Sequence, residues 1–153
     1  MIRLEAFDGR LFAVDYATAS MSSVISSVVE DLGVSSAPIA LPNVSGAILA
    51  KVIEYCVRHK DDAVPSKRVG WMGDSRMSAW DKQFVDIDDT TMLQLLYAAD
   101  YLGVEPLVDL ICQRIAQVIR DMPVEDIRQR YGVVNDFDDW ERQIIDAESQ
   151  AFK

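Results

Sequence analysis

The change of hydrophobic period after residue 15 decides most about what this chain can become. Residues 2–15, IRLEAFDGRLFAVD, are two short runs that alternate apolar and polar around Asp8-Gly9. Asp-Gly between such runs is a strong hairpin signal, because both turn positions tolerate positive φ. From Ser20 the period becomes helical. Val24, Ile25, Val28, Val29 and Leu32 recur at helical spacing, and Gly33 stands where a left-handed cap would end the helix. PIALP (38–42) reads as a brief strand. With so little strand, the chain can build only a small sheet, covered by its early helices.

The rest is almost entirely helix and loop. Ser45 is placed to cap a helix with Ile48, Leu49, Val52, Ile53, Cys56 and Val57 on its core face. Arg58, His59 and Lys60 crowd its last turn, where positive charge suits the helix dipole. Periodicity is lost between about 61 and 79, which predicts a long, mobile surface loop. Trp71 and Met72 are unusual in a solvated linker and are candidates for docking elsewhere. QFVDI (83–87) suits either a short strand or the start of a helix. Asp89 or Thr90 can cap a helix carrying Met92, Leu95, Leu96, Ala99 and Leu102, stopped by Gly103.

Pro106 sits in the first turn of the next helix, where its missing N–H costs nothing. That helix bears Leu107, Val108, Leu110, Ile111, Cys112, Ile115, Val118 and Ile119. These cover more than half its circumference, so it is expected to be contacted on more than one side. Pro123 restarts a shorter helix ended by Gly132, and Asn135 or Asp136 caps the last one. There, Phe137, Trp140, Ile144, Ala147 and Ala151 fall within roughly an 80° sector. Such a stripe either closes the protein's own core or forms one wall of a site.

At 153 residues, half of them hydrophobic, the chain is most simply one domain with a real core. A net charge of −10 argues against nucleic acid and anionic membrane as partners and favours basic ones. MIRLEAFDG has no apolar signal-peptide core, and no apolar run approaches the length of a membrane span, so an intracellular, soluble protein is expected. Cys56 and Cys112 sit in helical patterns without metal-ligand or redox spacing, and are expected to be buried free thiols rather than a disulfide.

Little in the chain suggests chemistry. The single histidine, His59, beside Lys60 at a helix end, reads as a dipole-compensating surface residue. Neither cysteine has a nearby base or a cationic setting in the sequence, so packing is their default role. DIDDTT (86–91) resembles a calcium loop only superficially: Thr91 stands where the loop needs glycine and Tyr97 where it needs glutamate. No phosphate cradle, zinc spacing or cofactor motif is present. An interaction module is expected, with no enzyme activity, metal or cofactor.

Several longer segments carry a specific resemblance. LPNVSGAILAKVIEYCVRHKDD (41–62), AWDKQF (79–84), LLYAADYLGVEPLVDLICQRIAQVI (95–119), EDIRQRYGVVNDF (125–137) and AESQAF (147–152) together resemble the Skp family. These are the adaptor subunits of SCF-type (Skp–cullin–F-box) ubiquitin ligases. The resemblance runs from DGRLFAVD to the final residues and breaks down in the 63–78 loop and near the end. It implies an α+β, BTB/POZ-type fold, a small sheet flanked by helices, followed by a C-terminal helical extension. Residues 1–120 would form the cullin-binding domain. Residues 121–153 would form the F-box-binding surface together with helix 107–119.

The implied role is a non-catalytic adaptor that holds a cullin scaffold, and through it the RING subunit, near an F-box substrate receptor, in nucleus and cytoplasm. The cullin-binding positions carried over are Pro42, Asn43, Asp100 and Tyr101, with Asp100 replacing the family's usual asparagine. Packing on its own domain is the plainer reading of Tyr101. The F-box-binding positions are Val108, Cys112, Ile115, Ile119, Tyr131, Val133, Ile145 and Phe152. The plainer reading is that these are simply core, and the apolar breadth of helix 107–119 suggests that both readings hold on different faces.

Three further departures mark a divergent paralogue. The tail lacks the family's tryptophan. Met122-Pro123 replaces Thr-Pro at the short helix, removing a hydroxyl cap. Lys67, Arg68 and Arg76 occupy a loop that is often acidic in the family. The competing readings are an F-box-binding subunit without cullin engagement, motivated by Asp100, an Elongin C-like adaptor, opposed by the two C-terminal helices, and an enzyme, which has no constellation behind it. Weak self-association through exposed apolar surface is a further expectation for the free chain.

Overall fold

A computed structural model of the chain describes residues 1–33, 37–62 and 77–152. Among these residues it contains three strands and eight helices. The chain divides into two compact units, Met1–Ala116 and Gln117–Lys153.

The first unit is built on the expected hairpin. Strand β1 (Ile2–Ala6) pairs antiparallel with β2 (Leu11–Val14), Ile2 facing Val14 and Leu4 facing Phe12. The turn is closed by Gly9 N–H donating to Ala6 O and Ala6 N–H donating to Arg10 O, both at 2.9 Å. Only Gly9 uses positive φ, at 78°; Asp8 does not. Strand β3 (Ile39–Leu41) adds parallel to β1, giving the order β2-β1-β3. The alternation predicted for β1 is realised: Ile2, Leu4 and Ala6 are buried, while Arg3 and the half-buried Glu5 point the other way.

The helix expected over 20–33 forms, and a one-turn helix outside that range precedes it. Asp15 caps α1 (Tyr16–Ala19), accepting from Thr18 N–H at 2.8 Å, and Ser22 caps α2 (Ser23–Leu32), accepting from Ile25 N–H at 3.1 Å. Each cap satisfies an orphan amide and fixes the start of its own helix. Gly33 ends α2 as expected. Its φ of 72° and ψ of 177° lie in a region only glycine reaches, rather than in the left-handed helical one. Ile25 and Val29 are buried there, whereas Val24 and Leu32 are exposed.

The longer helices α3 (Gly46–His59) and α5 (Asp89–Leu102) pack against each other, and α3 also lies against β1 and β2. Leu49, Leu95 and Leu102 are fully buried with Leu4, Val44, Val85 and Val104. Val57, expected on the α3 core face, is exposed. Asp88 is the cap of α5, one residue before the expected Asp89, because its carboxylate accepts from both Thr91 N–H (3.0 Å) and Thr91 Oγ (2.7 Å). Gly103 is the left-handed stop of α5 (φ 66°). The sequence left 83–87 open between strand and helix. AWDKQF forms α4 (Ala79–Phe84), with a capping box between Ser78 and Asp81.

His59 is not the surface residue the sequence suggested; its side chain is only 16% exposed. Its Nε2 lies 2.9 Å from Asp81 and its Nδ1 2.5 Å from Asp62, and its ring centroid is 4.4 Å from Tyr55. It therefore joins the end of α3 to the first turn of α4. The loop expected over 61–79, with Trp71 and Met72, lies over 63–76 outside the described residues, and by Ser78 the chain has already reached the cap of α4.

Helix α6 (Glu105–Ile119) follows, its last residues from Gln117 belonging to the second unit. That unit continues with α7 (Val124–Tyr131), stopped by left-handed Gly132, and α8 (Asp139–Ala151). The cap of α8 is Asp138, not Asn135 or Asp136. It exchanges hydrogen bonds with Glu141, so Phe137 precedes the helix instead of opening its stripe. Several consecutive acids could cap here, and only Asp138 has Glu three residues on. Pro123 precedes α7 without any side-chain cap, as Met122-Pro123 implied.

Two measurements check this packing. Gly103→Ala forces a side chain into positive φ and onto Ser23 Oγ, and is expected to cost about 1–3 kcal/mol in urea unfolding. The second concerns Asp15, which pairs with Lys60 Nζ at 2.6 Å. Hydrogen bonds from Lys60 and then Thr18 hold its carboxyl well below the usual carboxylate range. Between that lowered pKa and the ordinary value of about 3.9, the unfolded chain binds the extra proton, so this contribution is lost as pH falls. Lys60→Met is expected to be less stable than wild type near neutrality and to approach it as pH drops below about 4.

Candidate interaction surfaces

An open groove of about 550 Å³ lies on the first unit. Its walls include Pro42, Asn43 and Tyr101, three of the four residues assigned to cullin binding, together with Phe7, Gln94 and Tyr97. Val44, Ile48 and Ala98 also line it. The geometry is local in origin. Pro42 and Asn43 lie in the turn between β3 and α3, closed by Val44 N–H donating to Leu41 O at 3.3 Å. Gln94, Ala98 and Tyr101 recur at i, i+4 and i+7 on α5, with Tyr97 beside them; Ala98 is buried at the edge of the core face, and Tyr97 and Tyr101 turn away from it.

Tyr97 is 74% exposed and Tyr101 39%. The plainer reading of Tyr101 as packed within its own domain is therefore only partly met. Asp100 is exposed beside Tyr101 but is not among the groove's walls; its carbonyl accepts from Gly103 N–H at 3.0 Å. Helical spacing from Tyr101 was the available signal for Gln94 and Tyr97. Phe7 had none beyond being an aromatic residue in a hairpin turn.

The residues assigned to F-box binding on α6 lie beside its buried face, with Val108 and Ile115 packed against the edge of the core. Leu107, Leu110 and Ile111 are buried on one face. Val108, Cys112, Ile115 and Ile119 form a stripe about 100° around the helix from it. Val108 and Ile115 are half-buried and Cys112 is exposed, which corrects the expectation that both thiols are buried. Both are free; burial pushes the Cys56 thiol up to about 12, and partial burial followed by the Asp109 charge raises that of Cys112.

In the second unit Ile119 and Tyr131 are half-buried, and Val133, Ile145 and Phe152 are exposed, Phe152 at 91%. No residue of α7 or α8 is buried. The stripe expected to anchor α8 is open as well: Trp140 is 68% exposed, and Phe137 and Ile144 are exposed too. Phe137 is held by Arg128, whose guanidinium lies 5.7 Å from the ring centre and pairs with Glu125 at 3.2 Å. Many large apolar residues exposed on one short unit are unusual for a free surface and point to an interaction role.

Comparison with known proteins names the architecture. Residues 1–61 match the Skp1 family's tetramerisation domain, and residues 105–151 match its dimerisation domain. The chain is 35% identical over 157 residues to the SCF ubiquitin ligase complex protein SKP1b of Dictyostelium discoideum, covering 98% of this chain and 94% of that one. This chain belongs to the Skp1 family. Its similarity to SKP1-like protein 1A of Arabidopsis thaliana is 40% over 153 residues, covering 97% and 94% of the two chains. With the suppressor of kinetochore protein 1 of Schizosaccharomyces pombe it is 33% over 153 residues, covering 97% and 95%.

The three-stranded sheet with its surrounding helices is the POZ-type fold that Skp1-family membership brings. Among the described residues no group of His, Cys, Asp and Glu is arranged to hold a metal ion, and no helix is long and apolar enough to cross a membrane. This Skp1-family chain therefore offers two kinds of surface, an aromatic-walled groove and an open apolar set of helices. The thiols report on the second. Maleimide is expected to label only Cys112 in the native protein and both cysteines in denaturant, counted by mass spectrometry; prompt native labelling of Cys56 would contradict the packing of α3.

Proposed function

We propose that this Skp1-family chain is the non-catalytic adaptor of an SCF-type ubiquitin ligase, bridging a cullin scaffold and F-box substrate receptors. The observation that carries this reading is similarity over nearly the whole chain to a protein named as a component of the SCF ubiquitin ligase complex. The adaptor's contribution to catalysis is proximity: it shortens the search between a bound substrate and another protein's chemistry. It needs surfaces for that, not a reacting side chain.

The cullin is assigned to the groove, with Pro42, Asn43 and Tyr101 as contacts and Asp100 beside them. Asp100 keeps an acceptor but offers no amide donors. F-box proteins are assigned to the α6 stripe of Val108, Cys112, Ile115 and Ile119, with Tyr131, Val133, Ile145 and Phe152 from the extension. The exposure of these apolar residues supports the assignment. In this arrangement the RING subunit is reached only through the cullin. The same uncovered apolar residues would support weak self-association of the free chain. The competing reading, an F-box-binding subunit outside a ligase, has only Asp100 in its favour.

Affinity capture with the full chain is expected to recover both a cullin and F-box proteins; recovery of neither would overturn the adaptor reading. Tyr101→Ala is expected to weaken cullin binding at least tenfold while leaving F-box binding in place. Val133→Asp is expected to do the reverse. Hydrogen exchange adds a structural readout: α8 is expected to be weakly protected in the free chain and strongly protected with an F-box protein bound.

A further inference from the structure

The groove has a wall that the family-derived assignment does not contain. Phe7 is 75% exposed, at the tip of the β1–β2 hairpin, and lines the groove with Tyr97 and Tyr101. A large apolar side chain in a tight turn is ordinarily a burden to solubility. This one is held in place by its neighbours. Phe7 N–H donates to Val44 O at 2.9 Å, pinning the turn to the segment that carries Pro42 and Asn43. Next to it, Asp8 Oδ2 accepts from Gly46 N–H at 3.2 Å, while its other oxygen accepts from Arg10 N–H at 3.3 Å.

That bond replaces an expected one. Ser45 occupies the N-cap position of α3, but its side chain makes no capping hydrogen bond. The cap comes from Asp8, thirty-eight residues earlier in the chain. The approach depends on glycine: a Cβ on Gly46 would stand 2.8 and 2.9 Å from the two Asp8 carboxylate oxygens and would collide with the Arg10 side chain. A carboxylate at a helix N-terminus is favourable in itself, and here it also locks the hairpin tip to the groove's second wall.

We infer that Phe7 is a direct contact of the cullin in this groove, and that Asp8 is a positioning residue that holds Phe7 there by capping α3. The inference rests on the adaptor reading above. The occupant is a cullin segment presenting apolar anchors to Phe7, Tyr97 and Tyr101, with basic residues around them. The aromatic walls call for the anchors, and the chain's overall net charge of −10 favours the approach of a segment that also carries basic residues. Phe7 would add a side-chain contact that selects among cullins by the size of the group opposing it.

The test is titration of the purified full chain with a cullin, alongside an F-box protein as a control for folding. Phe7→Ala is expected to weaken cullin binding about tenfold or more with F-box binding and thermal midpoint unchanged. Asp8→Ala is expected to weaken it by a smaller factor, and Asp8→Asn, which keeps an acceptor oxygen, to restore most of the loss. If Asp8 acts through Phe7, Asp8→Ala adds little further loss in a Phe7→Ala background. Phe7→Ala binding like wild type while Tyr101→Ala binds weakly would overturn the inference and leave the adaptor reading standing. Full additivity of the two substitutions would remove Asp8's positioning role. Absence of cullin binding by wild type itself, with F-box binding intact, would overturn both.

Discussion

Helix α5 is the element on which the first unit depends. Leu95, Ala99 and Leu102 are wholly buried along one side, where the helix packs against α3 and α2. Its C-terminal carbonyls are not left to water. Ser22 Oγ donates to Leu102 O at 2.5 Å, and Ser23 N–H donates to Gly103 O at 3.4 Å, so the start of α2 closes the end of α5. Burying orphan carbonyls without such partners would cost a large share of a domain's net stability. The opposite side of the same helix presents Gln94, Tyr97 and Tyr101 to the groove. A binding surface carried on a helix whose other face is locked in the core needs little ordering when a partner arrives.

The second unit follows a different logic. It is short, and a short chain cannot bury much of its own apolar surface. Good local chemistry still shapes its helices: a capping box at Asp138 and Glu141, left-handed Gly132, and Arg128 joined to both Glu125 and Phe137. None of this covers Trp140, Val134 or Phe152. Local hydrogen bonds can set a helix's ends while leaving its apolar faces open. An adaptor that takes up different receptors on one surface is compatible with such an arrangement.

Much of this was legible in the sequence. The hairpin, β3, the cores of α3 and α5 and the stops at Gly103 and Gly132 follow from period, turn chemistry and glycine placement. The errors cluster at caps. Ser45, Asp89 and Asp136 were each plausible by residue type, and each lost to a competitor with better geometry: Asp8, Asp88 and Asp138. One-dimensional reasoning cannot rank neighbouring acceptors, and it cannot see an acceptor from another element at all. His59 was misjudged for the same reason, since Asp81 lies twenty-two residues away in sequence. Cys112 stands on a helix whose apolar residues cover more than half its circumference, and only packing shows which of them are covered.

By itself the sequence determined which segments become strands or helices, where most of them stop, and, through long ordered motifs, the family to which the chain belongs. These are local properties, set by period, backbone freedom and residue order. Tertiary structure decided which apolar faces are covered, which acceptor caps which helix, and that a phenylalanine from the hairpin lines one groove with two tyrosines of α5. The physical reason is separation: hydrogen bonds and burial act over a few ångströms in space, and the residues they join here are tens of positions apart in the chain.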